Sequence, residues 1–491
     1  MTFALVRSRS NQGLHAPDVR VEVDLTNGLP AFTIVGLAEA AVRESRDRVR
    51  SAILNSHFDF PDRRITINLA PADLPKTGGR FDLPIALGIL CASGQLPPET
   101  LANSECFGEL ALDGQLRGIR GAVSVTVAAT RERRRVVMPS ENEVPCRRVP
   151  DADLVFADDL LSLCAVLRGH PSDRRAVPTT QLAQPVLPDL ARVKGQRAAR
   201  RALEIAATGG HNLLLTGPPG TGKSLLASCL PSILPPLPPE EWLTVQAIHD
   251  LKHGTTTATT RPFRSPHHSA SAAALIGGGS NPLPGEVSLA HGGVLFLDEL
   301  PEFSRSALDM LREPMESGEV SIARASHSVQ FPARFQLVAA MNPCVCGYAD
   351  DPERNCRCTP TQLNQYATRV SGPLLDRIDL QIRVDREPAS TLLSGDRGES
   401  SARVRDRVLA GAAIQSERGH RNHRLRDREL LDACQLGKKE RALVEDAARR
   451  LLLSSRAVER TLRLARTISD LTGRQKVTCE SLSEALAYRL S

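Results

Sequence analysis

Aromatic side chains are scarce in this chain, with one Trp, Trp242, and three Tyr among 491 residues. So sparse a set argues against a platform on which successive single-stranded bases stack. Long apolar runs are missing too. None approaches the ~20 residues that a bilayer-spanning helix needs, so no membrane-spanning helix is expected. The opening "MTFALVRSRSNQGLHAPDVRVEVDL" meets Arg7, Arg9 and Asp18 before a stretch of signal-peptide length can form, so a cytoplasmic location is expected. Thiols stay reduced there, and the eleven cysteines are not read as a disulfide framework. The net charge of +6 hints only weakly at a polyanion, because a solvated basic surface accounts for it equally well.

What is present is ordinary in bulk, at 41% hydrophobic and 24% charged. The length exceeds what one core organises, so about two to four domains are expected. Residues 1–168 alternate β-type runs ("VRVEVDL", "AFTIVGL", "RITINLA", "RRVVMPS") with helical stretches, which predicts an α/β domain. A polar, Pro-bearing stretch without hydrophobic period follows, and 169–188 reads as a linker. A second α/β unit is expected over 189–388. From 389 to 491 helix formers dominate, which predicts a small helical domain. Its Arg-, Ser- and Gly-rich part, 395–428, is expected to contain a loop.

The apolar run Leu213–Leu215 leads directly into Gly217-Pro218-Pro219-Gly220-Thr221-Gly222-Lys223-Ser224, and a helix-forming run follows. Strand, glycine-rich loop and helix in that order form the context a phosphate-binding loop needs. Its backbone N–H groups wrap the phosphates of ATP, Lys223 reaches the β- and γ-phosphates, and the Ser224 hydroxyl binds Mg²⁺. Downstream, "GGVLFLDEL" ends an apolar strand in two acids. Asp298 is placed to hold Mg²⁺ and Glu299 to polarise the attacking water. A further strand, "FQLVAAMN", ends in Asn342, which reads either as a γ-phosphate or lytic-water contact or as a turn residue.

These motifs, with "SGPLLDRIDL" and "SSRAVERTLRLARTISDL", resemble an AAA+ ATPase of the magnesium-chelatase-like branch. The resemblance implies a P-loop core with a helical lid. It also implies an arginine finger at Arg377 acting on the neighbouring subunit's ATP, and a sensor at Arg456, with Arg460 one turn on as the alternative. "VKGQRAARRALEIAA" matches the branch's entry segment near the adenine. The first domain, through "LPKTGGRFDLPIALGIL", "GELALDGQLRGIRGAVSVTVAA" and "VVMPSENE", resembles the Lon-type (S5-like) protease domain. A Lon site needs a Ser nucleophile and a Lys partner. Arg80 and Val125 stand at those positions, so no proteolysis is expected.

A Lon-like domain before such a core is the arrangement of the ComM/YifB family, and "RPFRSPHHSAS", "LPGEVSLAHGGVLFLDELPEF" and "MNPCVCG" support the likeness. The family resemblance implies a homo-hexameric, ATP-driven branch-migration motor that acts on DNA without sequence preference in recombination or natural transformation. The alternative is a MoxR- or chelatase-like ATPase that remodels a protein partner. A DNA path is expected along two basic segments, one with Arg261, Arg264, His267 and His268, the other a hairpin over 319–335 with Arg324 and His327 near its tip. Threading loops for polypeptides usually carry an aromatic–aliphatic pair, and neither segment has such a pair, Phe263 standing isolated.

Four of the eleven cysteines fall in "CVCGYADDPERNCRC". In a reduced compartment Cys344, Cys346, Cys356 and Cys358 form either a four-thiolate zinc site or four free thiols.

Overall fold

The computed structural model describes residues 2–36, 42, 44–171, 186–254, 260–279, 282–323, 328–349, 351, 353–393 and 397–489. Most of the expected linker lies outside the described residues.

The N-terminal part is built on β1 (Phe3–Arg9), β2 (Asp18–Thr26), β3 (Ala31–Val35), β4 (Arg64–Ala70), β5 (Ser104–Cys106), β6 (Arg135–Pro139) and β7 (Leu154–Ala157). They form one seven-stranded sheet in the order β3-β4-β2-β1-β5-β6-β7. Its β1–β2 and β2–β4 pairs are antiparallel and its remaining pairs parallel. In β2, Val19, Val21, Val23 and Leu25 are buried and alternate with polar residues, the period-two pattern of a strand with one face on a core. Helices α1 (Ser45–Asn55), α2 (Asp82–Ala92) and α3 (Ala122–Arg131) accompany the sheet. Every residue of α2, "DLPIALGILCA", is buried: Asp82 at its start is met by Arg48 at 2.7 Å, and the rest is apolar all round, as expected of a helix enclosed on every side.

The ATPase part begins with α4 (Arg197–Gly209), β8 (Leu213–Thr216), α5 (Lys223–Ile233) and α6 (Pro239–His253). It continues through β9 (Phe263–Arg264), β10 (Val294–Leu297), β11 (Glu319–Ala323), β12 (Ser328–Pro332), β13 (Gln336–Met341), α7 (Pro360–Ala367) and β14 (Leu380–Arg383). Five of these strands make a wholly parallel sheet ordered β9-β10-β13-β8-β14. Leu213, Leu215, Phe296, Val338 and Ala340 enter one core, and Leu214, Leu295, Leu297, Leu337 and Ala339 enter another. Burial on both faces is why β10 reads "VLFL" without alternation. The phosphate loop, the Asp298-Glu299 turn and Asn342 all leave the C-terminal edge of this sheet.

The C-terminal part is helical: α8 (Ser401–Glu417), α9 (Asp427–Cys434), α10 (Lys438–Arg450), α11 (Ser455–Leu471) and α12 (Cys479–Ala487). Within the Arg- and Ser-rich stretch expected to contain a loop, 401–417 form α8, whose Val404 and Val408 are buried in the core shared with α4, and irregular chain follows it before α9. Arg466 of α11 is fully buried, and its charge is met by Asp470 at 2.9 Å and by the Gln475 carbonyl at 2.7 Å.

Candidate active site

The loop from β8 to α5 turns on Gly220 and Gly222, at φ 80° and 87°, a region other residues adopt only under strain. A Cβ on Gly217 would fall 2.2 Å from the Val384 carbonyl beyond β14, so only glycine fits there. The Lys223 ammonium, almost enclosed, donates to the carbonyls of Gly217 and Pro218, each at 2.8 Å. It also donates to Asn342 Oδ1 at 3.2 Å. Burial lowers its pKa, and Asp298 opposes that shift. The sequence-predicted Lys223 and Asn342, far apart in the chain, are thus adjacent because β8 and β13 pair in parallel.

Ser224 Oγ donates to Asp298 Oδ2 at 2.7 Å, and Asp298 Oδ1 accepts the Glu299 N–H at 2.9 Å. A hydroxyl and a carboxylate side by side are hard oxygen donors and fit Mg²⁺, which would bridge and neutralise the ATP phosphates there. Glu299 follows in the left-handed region, φ 53° and ψ 48°, so the chain bends sharply and leaves its carboxylate in the open mouth of the site. There Oε2 lies 3.0 Å from Nδ1 of His268. The His267 and His268 rings are 4.1 Å apart, and His267 Nδ1 contacts the Ser269 hydroxyl at 2.8 Å. Sequence reasoning assigned this pair to a DNA path. The structure puts His268 on the acid expected to polarise water, because β9 pairs with β10 in parallel and delivers its C-terminal loop to the same edge.

Arg377 is joined to Glu316 and donates to the Pro373 carbonyl at 2.7 Å. Its guanidinium is mostly covered, and action on a neighbouring subunit would require it to leave Glu316. Arg456 lies exposed on the first turn of α11. Arg460, one turn on, is buried, with its guanidinium 3.3 Å from Asp376 and 3.4 Å from the Ile378 carbonyl, on either side of Arg377. The lid therefore grips the Arg377 segment through the alternative residue.

The basic segments fare differently from expectation. Arg261 is largely buried and donates to the carbonyls of Pro235 at 2.5 Å, Gly292, and Pro236 at 3.2 Å. Burial pushes its pKa down to about 9. Arg264 makes two bonds to Glu286, at 2.6 and 2.8 Å. Both guanidiniums are committed within the chain rather than offered to phosphates. The expected hairpin is β11–β12, in register Ala323↔Ser328, but Arg324 and His327 lie outside the described residues.

Cys344, Cys346, Cys356 and Cys358 bring their sulfurs within 4.8 Å of one another, and all four are unoxidised. Three of the separations are 3.4, 3.6 and 3.7 Å. Zn–S bonds of about 2.3 Å in a tetrahedron imply sulfurs roughly 3.8 Å apart, so the donor set fits zinc. Backbone N–H groups of Cys346, Ala349 and Cys358 point at sulfurs at 3.2–3.4 Å, an arrangement that favours thiolates. N–H groups of Arg357 and Tyr348 hold the Cys346 thiol down at about 6, while desolvation and the neighbouring thiols push Cys356 and Cys358 up. The knot rests on the nucleotide loop, since a Cβ on Gly347 would come 2.8 Å from Pro219.

Comparison with known sequences accounts for the three parts. The family profile described as "Magnesium chelatase, subunit ChlI" matches 189–392, "Subunit ChlI of Mg-chelatase" matches 21–142, and the ChlI C-terminal profile matches 398–489. The competence protein ComM of Haemophilus influenzae is 48% identical over 100% of this chain and 98% of its own length. The uncharacterised protein YifB of Salmonella typhimurium is 47% identical over 100% of this chain and 97% of its own. The chain belongs to the ComM/YifB family. By contrast, the magnesium-chelatase 38 kDa subunit of Rhodobacter capsulatus is 29% identical over only 36% of the chain and 55% of its own length. As a ComM/YifB member with a ChlI-type domain the protein is an ATPase. Among its described residues no helix is long and apolar enough to cross a membrane.

Proposed function

We propose that this ATPase is a DNA motor of the ComM kind, a homo-hexameric ring that uses ATP hydrolysis to drive branch migration without sequence preference. The observation that carries the reading is the end-to-end kinship with a competence protein, N-terminal domain included. A second supports DNA over a polypeptide as the polymer. The aromatics of the candidate segments, Phe263, Phe331 and Phe335, all pack against the ATPase cores, Phe263 stacking on Phe296 at 5.9 Å, so none stands free to grip a threaded chain. In this reading Glu299 polarises the lytic water, Asn342 and Lys223 meet the γ-phosphate, Arg377 acts across the subunit interface, and Arg456 or Arg460 reports from the lid. Ser224 and Asp298 hold Mg²⁺, and the four cysteines hold one structural zinc.

ATP turnover measured with and without single-stranded and branched DNA tests the reading. Stimulation by DNA of any sequence, lost progressively as salt rises, is expected. Indifference to every DNA together with stimulation by a protein partner would move the protein to the remodelling class.

A further inference from the structure

The sheet domain and the ATPase meet along α3 and α6. Leu243 and Ala247 of α6 pack with Val123, Val127, Val149 and Ala152, and Arg148 lies over the Trp242 ring at 4.6 Å. A second contact is made by the loop after β1, where Leu14 packs against the core that holds Val329 and Phe331 of β12.

Within the first seam lies a buried pair of opposite charges that the ATPase chemistry does not use. Asp250, in the last turn of α6, is fully buried and accepts the N–H of Val123 at 3.0 Å and that of Ala122. These are the first two residues of α3, a helix with no side-chain cap in its own domain. A carboxylate of the ATPase thus caps a helix of the sheet domain, where the helix dipole favours negative charge. Arg80, also buried, donates from Nη2 to the Arg120 carbonyl at 2.8 Å, in the turn that opens the same helix. Arg80 and Asp250 feel each other's charge. Burial nevertheless pushes the Asp250 carboxyl up to about 7 and the Arg80 guanidinium down to about 10. Arg80 Nη1 and Asp250 Oδ1 are each left without a hydrogen-bond partner.

The location matters. Arg80 stands where the Lon-type resemblance puts the Ser and Val125 of α3 where it puts the Lys; Val125 faces the sheet domain's own core, and the ATPase docks beside Arg80, on the nucleophile side of that spot. From α6 the packing continues into the active site. His249 contacts the Leu289 carbonyl at 2.9 Å, and Leu289 lies in the segment, anchored by Glu286 to Arg264, that leads into β10 and Glu299.

We propose that the remnant peptidase site is a docking seat for α6, in which Arg80 and Asp250 act as positioning residues that set the placement of α6 and, through it, of the β10 acids. The seat concerns ATP hydrolysis alone and does not depend on the polymer the motor moves.

The full chain carrying Arg80→Met, Asp250→Asn, or both tests this, with amide hydrogen exchange and steady-state ATPase as readouts. Each single change strands one buried charge, so exchange in α3 and α6 should rise about tenfold or more and kcat should fall with little change in KM. The double change removes both charges and should recover most of the loss, since the two sites are coupled. Arg80→Lys, which keeps the charge, should stay near wild type and serves where Arg80→Met fails to fold. Wild-type exchange in both single variants, a double variant equal to the sum of the singles, or raised exchange with unchanged kcat would overturn the proposal.

Discussion

Nδ1 of His268 lies 3.0 Å from Oε2 of Glu299. The ring sits on the loop that leaves β9 and the carboxylate just past the end of β10, and the parallel pairing of those strands brings them together. A hydrogen bond to a charged group contributes about 1.5–3 kcal/mol, so its loss should leave the carboxylate poorly aimed. His268→Ala should lower kcat by about 10- to 100-fold by that measure, with the KM for ATP within a factor of about two. A rise in KM at constant kcat would assign His268 to nucleotide binding instead.

Glu299→Gln keeps the shape of the side chain and removes the charge. Turnover should fall by about 10²–10⁴-fold, the usual contribution of a positioned base, while ATP still binds and the ring stays loaded on DNA. Hydrolysis near the wild-type rate in that variant would refute the assignment.

Arg377→Ala should leave ATP binding by each subunit intact and lower hydrolysis by about 10³-fold or more, as loss of an arginine finger does. Mixing it with Lys223→Ala should restore part of the activity at mixed interfaces. Restoration at no ratio would mean either that Arg377 does not act in trans or that firing around the ring is tightly coupled.

One zinc per chain is expected on elemental analysis of protein purified without chelator. Because Gly347 abuts Pro219, stripping the metal or making Gly347→Ala, where φ is 84° and a Cβ would crowd Pro219 at 2.8 Å, should raise the KM for ATP. Metal-free protein with unchanged rings and KM would make the four cysteines plain thiols.

Much of this site was legible in the sequence, for reasons that differ by residue. The phosphate loop and the Asp298-Glu299 pair announce themselves because motif and strand period coincide over contiguous residues. The cysteine knot does so through spacing alone. Charge is less informative than position: Arg261 and Arg264 look like ready phosphate contacts, yet carbonyls and Glu286, some 22–31 residues away in sequence, claim them. His268 on Glu299 and Asp250 at the head of α3 are hidden for the same reason, since strand order and domain docking, not local pattern, create them. In the lid, a continuous run of helix formers hides a break. Ser454 caps α11 by accepting the Ala457 N–H at 3.2 Å and so ends the path from α10.

The measurement that bears most directly on the central claim follows labelled three- and four-strand DNA junctions incubated with the purified protein, ATP and Mg²⁺, beside the Glu299→Gln variant. The account predicts that the wild type converts junctions to exchanged products at a rate that requires ATP and Mg²⁺ and does not depend on arm sequence, while the variant binds the junctions and leaves them unchanged. Junctions left untouched by a wild-type protein that hydrolyses ATP at full rate would contradict it.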